Sequence, residues 1–186
     1  MRPVSARLAA IAGLWVLAVL AGATPSYAQA RQTLRVVPLV KDGQVLVSFE
    51  LVNGLTDEVR AAIQSGLTTT FTYNVELRMD VPAWVDRTIA TAVVTSSVEY
   101  DNLKRQYIMG FRVDGRTEDS KSTTDENEVR QWMTTVKHLA LFKTTMLEPN
   151  RDYYIRVSAT ARPANGSMLW PFASGTSAQG KFTFIR

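Results

Sequence analysis

Apolar and polar residues alternate with a period of two along most of the chain. From Thr70 to Asp80, Phe71, Tyr73, Val75, Leu77 and Met79 fall on one face, and Thr70, Thr72, Asn74, Glu76, Arg78 and Asp80 on the other. That is the pattern of an antiparallel strand with one wet face. Val45, Val47, Phe49 and Leu51 repeat it, as do Tyr107, Met109, Phe111 and Val113. Tyr153, Ile155, Val157, Ala159 and Ala161 form a further inward row, and Phe182 and Phe184 close the chain in the same phase.

The turn residues agree with these strands. Asp42-Gly43 between two strand-like runs predicts a tight hairpin. Asp101-Asn102-Leu103-Lys104 predicts a second one, which places Tyr100 beside Tyr107 as a cross-strand aromatic pair. Near the C-terminus, Leu147-x-Pro149-x-x-x-Tyr153 has the form of a tyrosine corner, where a tyrosine at the start of a strand hydrogen-bonds backbone a few residues upstream. Tyr153, in phase with Ile155 and Val157, is expected to point inward. Tyr154 shares the outer face with Arg156 and Ser158 and is expected to be free for a partner.

Two segments carry the helical period instead. Thr56 is a cap followed by Asp57 and Glu58, acids that suit the positive end of a helix. Val59, Ala62 and Ile63 then form a stripe, and Gly66 can end the helix in a left-handed conformation. Asp125 is an Asx cap with Glu128 three residues on, and Val129, Trp132, Met133 and Val136 follow at i, i+3, i+4 and i+7. The segment before it, Asp114 to Thr124, is polar and reads as a loop. Many strands with only two short helices argue against a parallel crossover fold. The expected fold is mainly β: an antiparallel immunoglobulin or fibronectin III-like β-sandwich of about seven or eight strands with two short helices.

The N-terminus departs from this pattern. Arg2 and Arg7 precede an apolar run of 15 residues, Leu8 to Gly22, and small residues follow around Ala28 and Ala30. This is the order of a secretory signal peptide, with cleavage after Ala28 or Ala30. A retained membrane anchor needs about 20 apolar residues, more than the run supplies. The expectation is a periplasmic protein with a signal peptide at 1–30 and one domain at 31–186. Without Arg2 and Arg7, the 21 Lys and Arg become 19 against 17 Asp and Glu, a net charge of only +2. No basic stripe of the kind that holds nucleic acid is visible. There is no cysteine, which removes disulfides, thiol catalysis, thiolate metal sites and lipid attachment at an N-terminal cysteine.

Candidate chemistry is sparse. His138, the only histidine, is placed by the pattern at a helix end, where a cation suits the negative pole. Glu118, Asp119, Asp125, Glu126 and Glu128 lack the spacing of a calcium loop and read as a solvated loop running into a helix. No nucleophile elbow, phosphate loop or dinucleotide fingerprint occurs. Asn165-Gly166-Ser167 reads as a turn. No catalytic residue, cofactor or metal is expected. Two apolar loops stand out: Trp84 next to Pro82, and Met168-Leu169-Trp170-Pro171-Phe172. Exposed apolar loops mark partner contacts. The alternative is that both fold back and cap the ends of the core, since tryptophan is usually largely buried. Trp84, Trp170 and Phe172 on these loops, with outward-facing Tyr154, are the candidate partner-binding residues, and Tyr100, Tyr107, Pro149 and Tyr153 the structural ones.

The Tyr100-x-x-Leu103-x-x-x-Tyr107 hairpin, the polar segment and helix that follow, and the Leu147-x-Pro149-x-x-x-Tyr153-Tyr154 corner together resemble an exported bacterial domain-of-unknown-function family, the 4390 family. The likeness runs from about Leu39 to Pro163. It departs around Pro82 to Asp86, where many members are richer in tryptophan. The resemblance implies periplasmic residence and no established activity, and provides no catalytic residues to carry over. Members are often encoded beside a membrane sensor kinase of the nitrogen-regulation type, which implies a signalling context. The leading functional expectation is a non-enzymatic binding module of the cell envelope whose partner is another envelope protein, such as a sensor kinase's outer domain. Its rivals are a carboxylate-dependent envelope hydrolase acting on glycans, which requires a cleft with two acids, and a lipid or membrane-surface binder using the Met168 to Phe172 loop.

Overall fold

The computed structural model describes residues 32–163 and 175–185. Among them, nine strands and two helices follow in the order β1 (Thr33–Lys41), β2 (Gln44–Val52), α1 (Asp57–Gln64), β3 (Thr69–Met79), β4 (Arg87–Asp101), β5 (Gln106–Val113), β6 (Arg116–Thr123), α2 (Glu126–Thr134), β7 (Thr135–Lys143), β8 (Arg151–Pro163) and β9 (Thr176–Phe184). They form a three-stranded sheet, β1-β2-β7, and a six-stranded sheet, β6-β5-β4-β3-β8-β9. Every pairing is antiparallel.

The alternating residues of both sheets meet in one core. Val45, Val47 and Phe49 of β2 face Phe71, Tyr73 and Val75 of β3, together with Ile155 and Val157 of β8, all of them buried. Phe49 and Tyr73 have ring centres 4.6 Å apart. Tyr73 is fully buried and donates its hydroxyl hydrogen bond to the Met133 carbonyl at 2.6 Å. That carbonyl belongs to the last turn of α2, where no intrahelical donor remains. One tyrosine thus ties the large sheet to the helix, and burial pushes its phenol far above the ordinary range.

The local signals are used as expected. Asp42 and Gly43 both have positive φ, 50° and 74°, as a type I′ hairpin requires. Thr56 caps α1 by accepting from the Val59 N–H. α1 ends with Gly66 at φ 81°, and the Gly66 and Leu67 N–H groups bond back to the Ile63 and Ala62 carbonyls, the Schellman arrangement. Asp125 caps α2 through the Asn127 N–H.

Three expectations are corrected. The described residues hold nine strands rather than about seven or eight. The polar segment after Asp114 is not a loop: Arg116–Thr123 is strand β6, paired to β5 across a turn at Asp114-Gly115. It is an edge strand exposed along nearly its whole length, so it carries no apolar face for the alternation to reveal. The second helix ends at Thr134 rather than running through Val136, and β7 starts directly at Thr135. His138 therefore lies inside a strand and not at a helix end. It has φ 48° at a register shift between β2 and β7, and its N–H donates to Ser48 Oγ at 2.9 Å.

Candidate functional site

The most exposed large aromatic among the described residues is Trp84, at 81% exposure, with Val85 next to it at 76%. Both lie on the loop that joins β3 to β4, residues 80–86. Pro82 fits the second position of the turn 81–84, which is closed by the Trp84 N–H on the Val81 carbonyl at 3.1 Å. Ala83 takes the third position with φ 63°, a region that is costly for any residue with a Cβ. The chain is held there from below.

Asp86 does the holding. Its Oδ1 accepts from the Val81 N–H at 3.4 Å, closing the loop on itself. Its Oδ2 accepts from the Tyr154 hydroxyl at 2.6 Å. Its backbone carbonyl accepts from Arg78 Nη2 at 3.2 Å. Arg78 and Tyr154 stand opposite each other in the β3–β8 register. The guanidinium groups of Arg78 and Arg156 lie 5.9 and 5.8 Å from the centre of the Tyr154 ring, within cation–π range. At the other root of the loop, the Asp80 N–H donates to the Asp152 carbonyl at 3.0 Å, and Asp80 Oδ2 pairs with Lys181 Nζ at 3.0 Å. The apolar tip thus stands on a base pinned to β3, β8 and β9.

The electrostatics follow from these contacts. The Tyr154 hydroxyl, with the Val81 N–H and nearby Arg78 and Lys181, holds the Asp86 carboxyl below the usual aspartate value. Burial, and then the Asp86 acceptor, raise the Tyr154 phenol. Asp80 raises the Lys181 ammonium.

A cleft of about 590 Å³ lies elsewhere on the surface, lined by Glu50, Lys121, Glu128, Gln131, Trp132, Thr135 and Lys137. Lys121 pairs with Glu128 and lies 5.5 Å from the centre of the Trp132 ring. The hydrogen bond from Lys121, and a further one from Thr123, lower the Glu128 carboxyl. The Asp86 and Glu128 carboxyls both move downward, opposite to the direction a general acid needs. In the acidic group singled out by sequence, Asp125 caps α2, Glu126 pairs with Arg60, and Glu118 and Asp119 lie on exposed β6.

The structural residues stand where the pattern puts them. Tyr153 is buried at 1% exposure, and its hydroxyl accepts from the Glu148 N–H at 2.7 Å, five residues upstream. Pro149 lies in the turn that makes this corner, followed by Asn150 at φ 57°. Tyr100 and Tyr107 are directly paired, with ring centres 4.9 Å apart. Of the candidate partner-binding residues, Trp84 is open to solvent. Trp170 and Phe172 lie outside the described residues, as does the 165–167 turn. Tyr154 is a correction. It does face outward from β8, yet it is only 3% exposed, because the 80–86 loop folds over it and the two arginines flank it. It serves as a support of the loop and not as a free contact. Sequence reasoning missed Asp86 and Arg78. The signal for Asp86 was its place two residues after Trp84. Arg78 becomes legible only once the β3–β8 register is known.

The fold and site together define a two-sheet antiparallel β protein that displays an apolar hairpin tip on a hydrogen-bonded base. The chain belongs to the family described as "Domain of unknown function (DUF4390)", whose family model matches residues 29–165. No curated protein and no solved structure matches the chain.

Proposed function

We propose that this protein is a non-enzymatic interaction module of the cell envelope, and that the tip of the β3–β4 loop is its contact with another envelope protein. The observation that carries this reading is Trp84, largely in water at the end of a loop whose base is tied down. A tryptophan brings a large apolar area to an interface and loses little side-chain freedom on binding. A braced loop also pays less ordering entropy on binding than a slack one. The buried tyrosine corner and the two-sheet core support the finer reading of the fold as an immunoglobulin or fibronectin III-like sandwich. The N-terminal basic, apolar and small-residue order supports export through a cleaved signal peptide and residence in the periplasm. In that compartment the outer domain of a membrane sensor kinase is the partner that the family's gene neighbourhood suggests.

Crosslinked pull-downs from intact cells test the proposal. The wild-type chain is expected to retain a discrete envelope protein, and Trp84→Ala to lose it while folding normally. Recovery of the same protein by Trp84→Ala, or of none by the wild type, would sink the idea.

A further inference from the structure

The outer face of the three-stranded sheet carries a second, different surface. Antiparallel register puts Arg35, Val37, Leu39 and Lys41 of β1 on the face opposite the core. Val37 is 62% and Leu39 43% exposed. Leu39 stands directly opposite Leu46 of β2, and Leu46 opposite Ala140 of β7. An aliphatic strip therefore crosses all three strands. Lys143 pairs with Gln44 at one end of the face, and exposed Lys137 lies beside the irregular stretch at Ser48. Four cations, Arg35, Lys41, Lys137 and Lys143, thus rim the strip. The acids near them are Glu50, opposite Arg35, Glu128, which with Glu50 lines the cleft that Lys137 borders, and Asp42, 3.9 Å from Lys41. Exposed His138 adds an imidazole on the β7 side.

We infer that this face lies on an anionic lipid surface. An aliphatic centre that enters the headgroup boundary, ringed by lysine and arginine that meet anionic headgroups, is the two-part arrangement that binds proteins peripherally to membranes. Long basic side chains also reach outward while their stems cover apolar surface. A second copy fits poorly, because pairing two such faces sets one basic rim against the other. The strip contains no aromatic residue to stack on nucleic acid bases and no aromatic anchor of the kind that dominates protein interfaces. The proposal goes beyond the Trp84 reading and uses a different sheet, so the two can fail independently.

The chain lacks cysteine, so a single introduced cysteine carries a label at a chosen place. The full chain with Val37→Cys is labelled with an environment-sensitive fluorophore, with Leu103→Cys on the exposed β4–β5 turn as the control. Vesicles containing phosphatidylglycerol are expected to shift the label at 37 to the blue and expose it to nitroxide quenchers in the lipid. Vesicles of phosphatidylcholine alone should not, and the label at 103 should stay in water in both. In the Lys137→Glu/Lys143→Glu background, the lipid concentration for half-maximal shift is expected to rise about tenfold or more, since each basic residue near an anionic surface contributes about 1 kcal/mol. Should that pair fail to fold, Arg35→Glu gives the same reading. A label at 37 that stays in water while the protein is bound to vesicles would overturn the inference. So would its burial without lipid in a sedimenting dimer, or an equal shift with soluble polyglutamate, which would assign the face to an acidic protein.

Discussion

Single side chains decide how the layers are joined. Tyr73 is the clearest case, a core aromatic whose hydroxyl satisfies the Met133 carbonyl. Tyr73→Phe keeps the ring and leaves that carbonyl without its donor in a dry environment. The expected cost is about 1–3 kcal/mol, read as a lower denaturant midpoint with an unchanged m-value. An unchanged midpoint would mean that water reaches the carbonyl. Trp84 is the opposite case. It has almost no fold contacts to lose, so Trp84→Ala is expected to leave stability within about 0.5 kcal/mol of the wild type, as for surface substitutions generally. The two residues are not equally readable from sequence. Alternation identifies Tyr73 as inward because Phe71 and Val75 share its phase. Nothing local distinguishes Tyr154, which alternation puts outside and a folded-back loop covers.

At the scale of elements, legibility tracks whether an element has an apolar face. β3, β2, β5 and β8 do, and their alternation marks them. Both helices announce themselves by their caps, Thr56 and Asp125. β6 has two polar faces and reads as a loop. A polar edge is itself useful, because charged edge strands resist edge-to-edge pairing with other chains. β7 follows α2 without a glycine or proline between them, so the helical stripe runs visually into Val136. The β3–β4 loop is the element that we propose as the partner contact, and its brace is pH-dependent. The Asp86 carboxylate has a lowered pKa in the fold, so its contribution is present above the ordinary aspartate pKa. It is lost as pH falls from that value toward the lower folded one. Trp84 fluorescence in an otherwise tryptophan-free chain is expected to report loosening of the loop in that acidic window, and Asp86→Asn to show the loosened signal already at neutral pH. A wild-type signal that is flat through the acidic window would contradict the brace.

Across the whole molecule, the two sheets approach most closely where β1 crosses β9. A Cβ placed on Gly180 would lie 2.6 Å from Pro38 Cδ and 2.7 Å from the Val36 carbonyl oxygen. Neither can swing aside like a flexible side chain. Gly180→Ala is therefore expected to destabilise by about 1–3 kcal/mol, the cost of overpacking a tight contact, seen as a fall in the thermal midpoint. A neutral result would mean that β1 is free to lift from β9. The same two-layer arrangement separates the molecule's surfaces. The β3–β4 tip belongs to the six-stranded sheet, and the basic-rimmed aliphatic face belongs to the three-stranded one.

The claim that the β3–β4 tip is a protein contact is tested most directly by a photo-crosslinking amino acid at position 84 in living cells. The account predicts one discrete adduct with an envelope protein at position 84 and none from the same group at position 103, which is exposed on a different turn. Absence of an adduct at 84, or the same adduct at both positions, would contradict it.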